Sequence, residues 1–332
     1  MQSGARKGDV TWAIGQSGFG WSRLEAQSGF AGRLGLDKAA TFGKMLRALK
    51  RIIRAGSILC VLLTCQSLAL ISGNDGAAAE IADLFPEAGI VVLGEVHDNP
   101  AHHATQAAIV ELLQPDALVF EMIEPTRALS VNPDNRGNAV ELQRVLGWRA
   151  GGWPDFAMYH PIFTAAPDAA VFGAAVAEAD VRKAVRQGAA AVFGDAAVLF
   201  GLDRPLDQDQ LETRLELQRE AHCYKLPDDL LPSMVEAQRL RDAALAEAAV
   251  AAFEHAKATD ELPLVVIITG NGHAREDWGV PEMLATYYGD DPEIEIRTLA
   301  QFEIEPPEDP PYSNWLTTEP AEREDPCEAF RE

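Results

Sequence analysis

Glu95 and His97 stand just past a continuous apolar run, Ile90 to Leu93, in the stretch GIVVLGEVHDNPAHH (residues 89–103). A second apolar run ends the same way: LPLVVIITGNGHARED (residues 262–277) sets His273 three residues after Gly270, as His97 lies three after Gly94. Glu121 closes a third run, ALVFEM. Imidazole and carboxylate both donate to Mn, Fe, Co or Zn, so Glu95, His97, Glu121 and His273 form a candidate set for a divalent metal. The same four side chains suit metal-free chemistry, in which a histidine oriented by a carboxylate takes a proton from water. A lone histidine after a strand is usually structural, whereas two in matched Gly-x-x-His settings favour a site. Carboxylates at the ends of buried runs are costly without a role. No G-x-S-x-G elbow is present, so hydrolysis here would use activated water directly.

The elements that must position these residues alternate between strand and helix. Ile90 to Glu95 reads as a buried strand, Pro100 opens a helix to about Leu113, and Ala117 to Met122 is a second strand, which together make a parallel βαβ unit. Ala169 to Val176 and Ala189 to Phe193 read as further strands around a helix from Glu178 to Gln187. A helix from Asp207 to about His222 and a long one from about Leu230 to Lys257 form an inserted pair. Leu264 to Thr269 returns to the sheet, a helix follows Pro281, and Glu293 to Leu299 alternates like an edge strand. The expected fold is α/β, a mostly parallel central sheet flanked by helices, with the helical pair covering the crevice at the strand ends. Ligands of open α/β sheets bind in that crevice.

Other residues have weaker claims. His102 and His103, one turn into a helix, read as exposed or capping. Arg241 and Asp242 read as a surface ion pair, with Arg241 reaching into the crevice as the alternative. Arg275, two past His273, is the better candidate for holding an anionic group. The segment GWRAGGWPDFAMYHPIF packs Trp148, Trp153, Phe156, Tyr159 and Phe163 close together, as a satellite core or as pocket walls.

Composition bounds the partners. The 332 residues carry a net charge of −23, and the first 79 hold 10 of 28 basic and 4 of 51 acidic residues, leaving −29 on the remainder. Such a body repels phosphate backbones and anionic lipids, which argues against nucleic acid. The basic front has its own explanation. From Met45, basic residues precede an apolar span, Ala55 to Ile71, and then Ala77-Ala78-Ala79, the layout of a secretory signal cleaved after Ala79. Leu62-Leu63-Thr64-Cys65 resembles a lipobox with poor matches at Leu63 and Thr64. Residues 1–44 read as a disordered or misassigned leader, 45–79 as the signal, 80–305 as the α/β domain and 306–332 as an irregular tail. The expected location is periplasmic or secreted, with membrane attachment only through the signal or a lipid anchor. Beyond the signal only Cys223 and Cys327 remain, free or joined as a disulfide tying down the tail.

GEVHDNPAHH, FEM, GWxxGGWPDFxxYxPIF, AHCxKLP with MVEAQRLRDAALA, and TGNGHAREDWGVP together resemble the ChaN-like haem-binding lipoproteins, within the superfamily of Tiki proteases, TraB proteins and erythromycin esterases. The match spans about Ile90 to Phe330. The resemblance implies an exported protein of iron or haem uptake that binds haem beside the sheet, with the site shared between two chains of a homodimer in some members. It also implies a tyrosine ligand to iron, here Tyr159 ahead of Tyr224 or Tyr287; Arg241 and Arg275, chosen from their positions, are the cofactor-binding candidates beside it. The same kinship implies the rival reading, a metal-dependent or His/Glu hydrolase using Glu95, His97, Glu121 and His273.

Overall fold

The apolar runs pair with one another in a single six-stranded, all-parallel sheet. The computed structural model describes residues 85, 88–260, 262–289, 294–325 and 327–328, so the leader, signal and lipobox readings lie outside the described residues. In chain order the strands are β1 (Ile90–Glu95), β2 (Ala117–Phe120), β3 (Ala170–Gly173), β4 (Val265–Gly270), β5 (Ile296–Phe302) and β6 (Asn314–Thr317). They lie side by side as β3-β2-β4-β1-β5-β6. Strands buried on both faces need no alternation, and β1, β2 and β4 are fully buried along their length.

Helices cover both faces. The main ones are α1 (Pro100–Leu113), α2 (Ala139–Leu146), α3 (Phe156–Ala165), α4 (Glu178–Gln187), α5 (Gln208–Ala221), α6 (Leu231–Lys257) and α7 (Val280–Tyr288). Asn99 caps α1 by accepting from the Ala101 amide, and Pro100 fills the first turn, where a missing N–H costs nothing. Val91, Leu93, Leu118, Phe120, Val266 and Ile268 face α1 and α3 in one core, while Ile90, Val92, Ala117, Val119, Val265 and Ile267 face α6 and α7 in the other. Most of the aromatic segment belongs to the first core: Trp148, Phe156, Tyr159 and Phe163 are buried there.

Several sequence expectations need correction. β1 and β2 belong to one parallel sheet but are not neighbours, because β4 inserts between them. β5 is not an edge: it pairs with β1 on one side and with β6 on the other. The edge is made by β6, from a tail that is otherwise irregular, and its acid- and proline-rich surroundings hid it. Ala189–Phe193 is a short helix rather than a strand, as its three consecutive alanines favour. Both helices of the inserted pair reach the strand ends, α6 while packing across β2, β3 and β4 and presenting Asp242 to His273, and α5 through Gln210 at the Asp277 carbonyl. Cys223 and Cys327 are joined as a disulfide, with Cα atoms 5.6 Å apart. Among the described residues no helix is long and apolar enough to cross a membrane.

Candidate functional site

The strand register brings the chemistry together. Glu95 is level with Gly270, and Phe120 with Ile268, so Glu95, Glu121 and the β4 loop emerge at one edge within a residue of each other. Period-two alternation sends their side chains to opposite faces. Glu95, in phase with Val91 and Leu93, points toward α1 and α3, and Glu121, out of phase with Phe120, points toward α6. Gly270 leaves room between them, since a Cβ there would stand 3.0 Å from His97 Nε2 and press on the imidazole.

Four sequence-chosen residues converge in this way. His97 Nδ1 donates to Glu95 Oε1 at 2.8 Å, and His97 Nε2 lies 3.8 Å from Glu121 Oε2. His273 Nε2 lies 3.5 Å from Glu121 Oε1. Glu121 also accepts from the Thr269 hydroxyl at 2.7 Å and from the Gly270 amide at 2.9 Å. The second imidazole has its own carboxylate, because His273 Nδ1 donates to Asp242 Oδ1 at 2.5 Å. The site is therefore two histidine–carboxylate pairs facing each other across Glu121. The His97 side chain is 33% exposed and that of His273 only 12%, so approach from solvent is on the His97 side. Trp153 flanks His97, ring edge to face, at 5.1 Å.

Asp242 and His103 are the members sequence reading missed. Asp242 is fully buried on α6 and faces His273, so the surface ion pair with Arg241 is wrong. The signal was its place in the apolar stripe with Val235, Leu245, Ala246 and Ala249, where an unpartnered charge would be prohibitive. His102 and His103 are also fully buried, against the exposed or capping reading. His103 follows the same logic, sharing the buried face of α1 with Gln106 and Val110. Its Nε2 donates to the His97 carbonyl at 2.8 Å, and its Nδ1 faces Gln106 Oε1 at 3.2 Å and Glu95 Oε2 at 3.3 Å. Acceptors on both nitrogens favour the imidazolium. His102 is the opposite case: its Nδ1 accepts from the Val96 amide, so the ring stays neutral and donates through Nε2 to Thr318.

Charge states follow from these contacts. Burial opposes ionisation of Glu121, but the charges of His273 and His97 and the Gly270 amide outweigh it and hold the carboxyl well below its usual range. Burial likewise opposes charge on His273, yet Glu121 and Asp242 raise its pKa to about 10. Glu95 is lowered, and His97 and His103 are raised, against the same desolvation. Burial drops His102 to about 4. At neutral pH His273 is thus a cation fixed beside an ionised Glu121.

The other candidates are placed apart from this centre or turned inward. Tyr159 is fully buried, and its hydroxyl donates to Glu95 Oε1 at 2.6 Å; burial, then the Glu95 charge, pushes its phenol far above the ordinary value. Arg275 is paired with Asp277 at 2.7 Å and stacked 3.7 Å over the Trp278 ring. Arg241 is half-buried, one turn along α6 from Gln238. Tyr287 stacks on Phe200, and Tyr224 is 64% exposed beside a depression of about 370 Å³ lined by Glu220, Cys223, Lys225 and Cys327. Among the described residues no group of three or more His, Cys, Asp or Glu side chains is arranged to hold a metal ion.

Comparison with known proteins supplies the family. The chain is similar to the solved structure described as cofacial heme binding to ChaN of Campylobacter jejuni, with a TM-score of 0.52 and 17% identity over 72% of this chain and 90% of that one. An erythromycin esterase mutant, EreC in its open conformation, aligns with a TM-score of 0.37 and 11% identity over 69% of this chain and 73% of its own. The type III effector HopBA1 aligns at 0.36 and 12% identity, over 71% and 87%. No curated protein matches at a significant level. The family model described as haem-binding uptake, Tiki superfamily, ChaN matches residues 81–284, more than half of the chain. By that match the chain belongs to the ChaN haem-binding uptake family of the Tiki superfamily.

Proposed function

We propose that this protein is exported and binds haem as cargo in iron uptake, with the Tyr224 phenolate as the iron ligand. The observation that carries the reading is the exposed Tyr224 ring at an open depression beside Lys225, in a chain of a haem-binding family. Ligation by Tyr159 would set a third negative charge against Glu95 and Glu121 inside the core. Tyr224 needs only to exchange its hydrogen bond to Glu216 for ferric iron, with the phenolate hydrated and Lys225 available to a propionate. A depression of this size leaves much of a porphyrin uncovered. Haems stacked face to face, the cofacial binding described for ChaN of Campylobacter jejuni, would cover one another, with Tyr224 of each of two chains available to hold one haem. A homodimer is the simplest arrangement with that property.

Haemin titration followed by visible absorbance tests this reading. The wild type and Tyr159→Phe should shift the Soret band, and Tyr224→Phe should not. Absence of a shift in the wild type rejects haem binding, and loss in Tyr159→Phe alone moves the ligand into the core.

One observation favours a second reading. Paired imidazole–carboxylate units facing across an ionised Glu121 can activate water and stabilise a developing oxyanion, the chemistry of a hydrolase. Turnover of ester and peptide probes that disappears in the His97→Ala, His273→Ala double variant supports it, and turnover that survives rejects it.

A further inference from the structure

The chain beyond β6 runs along the loop between β1 and α1, next to His97, and along the end of β5. The Thr318 hydroxyl meets His102 Nε2 at 2.8 Å, the Asn99 amide donates to the Glu319 carbonyl at 3.0 Å, and the Ala321 amide donates to Glu303 Oε1 at 3.0 Å. Arg323 then forks onto both oxygens of Asp98, each at 2.8 Å, and also binds Glu303. Asp98 adjoins His97. Four residues later Cys327 is bonded to Cys223, just past the end of α5.

α5 belongs to the other side of the crevice. Gln210 donates to the Asp277 carbonyl, and Gln218 reaches Gln238, whose amide reaches the Gly272 carbonyl beside His273. The tail therefore starts on the β1 and β5 side and ends on a helix lying over the β4 loop. Four residues span at most about 14 Å and the disulfide adds 5.6 Å between its Cα atoms, so Cys223, just past the end of α5, lies within about 20 Å of Arg323.

From Thr318 to Cys327 the only apolar side chains are Pro320, Ala321 and Pro326, while Glu319, Glu322, Glu324 and Asp325 add negative charge to an already acidic body. Charge repulsion favours detachment once the covalent link is broken. The other end of the link is strained, because Cys223 and Tyr224 are consecutive non-glycine residues at φ of 54° and 56°.

We propose that residues 318–327 form a redox-latched strap, which narrows access to His97 and His273 while Cys223–Cys327 is closed and swings free when a dithiol reduces it. Two electrons and two protons pass to the cysteines, giving two thiols, and the reductant leaves as a disulfide. The strap acts on access, so it operates whether the crevice holds a ligand or turns one over.

The test compares oxidised wild type, wild type reduced with dithiothreitol, and the Cys223→Ser, Cys327→Ser double variant. Amide hydrogen exchange is read over 318–325, and carbethoxylation of histidines is read by peptide mass spectrometry. Both disulfide-free forms should exchange at 318–325 at least about tenfold faster. His97 should be modified several-fold faster while buried His103 stays unreactive. Unchanged rates overturn the proposal, as does fast tail exchange with His97 unchanged. An equal rise at His103 also overturns it, because the core itself has then opened.

Discussion

His273 ties the charge balance of the site to pH. Its ordinary value of 6.5 rises to about 10 in the fold, so its contribution to stability is complete below 6.5 and is lost as pH rises through 10. Glu121 works in the opposite sense: its pKa is depressed from 4.5, so its contribution is present above 4.5 and is lost as pH falls through the folded value. The two share one ion pair, which is counted once and is fully effective from about pH 4.5 to 6.5. Its loss should amount to a few kcal/mol, on the order expected of a shift of this kind. Urea midpoints from pH 5 to 10 check this: the gap between wild type and His273→Gln should narrow steadily above pH 6.5. A gap independent of pH would show that the imidazolium is not what stabilises this end of the sheet.

At the scale of elements, helices fix the site by burying polar residues on faces that a simple pattern would make apolar. α1 buries His102, His103 and Gln106 next to Ile109 and Val110, and Gln106 Nε2 donates both to the Leu93 carbonyl and to Glu95 Oε2. α3, which delivers Tyr159 and packs against α1, ends on another polar device. Arg136 Nη1 donates to the Ala166 and Pro167 carbonyls, each at 2.7 Å, and Arg136 Nη2 donates to the Ala169 carbonyl at 2.6 Å. Replacing Arg136 by alanine leaves three buried or half-buried acceptors unpaired, which should cost about 2–4 kcal/mol. Chemical denaturation checks the magnitude. Haemin binding should be unaffected in the folded variant, since neither Arg136 nor the carbonyls it holds line the depression beside Tyr224.

At the scale of the whole molecule, the tail completes the sheet as well as running next to His97. β6 covers β5 through Leu299 to Phe302, and Thr318 continues the pairing by donating to the Phe302 carbonyl. A chain ending at residue 305 would leave β5 as an open edge with buried Leu299, Ala300 and Gln301 at its centre. Open apolar edges recruit other strands, so this truncation should self-associate where the full chain does not aggregate. Sedimentation velocity of the two proteins at equal concentration checks it, and a monodisperse truncated species would show that β6 is dispensable as an edge guard.

The amino-acid sequence by itself determined the parallel architecture and four residues of the crevice, because buried strands are continuous apolar runs and charged residues that end them stand out. Glu95, His97, Glu121 and His273 were legible for that reason, and the long α6 from its period. Tertiary structure decided what lies between and around them. The insertion of β4 between β1 and β2, the pairing of β6 and the closing of Cys223 onto Cys327 join residues far apart in the chain, and no local pattern encodes such contacts. Asp242 and His103 were hidden in helices where a lone polar residue reads as surface. Only the packed fold shows that each is inside with a partner, and a buried charge persists only where such a partner exists.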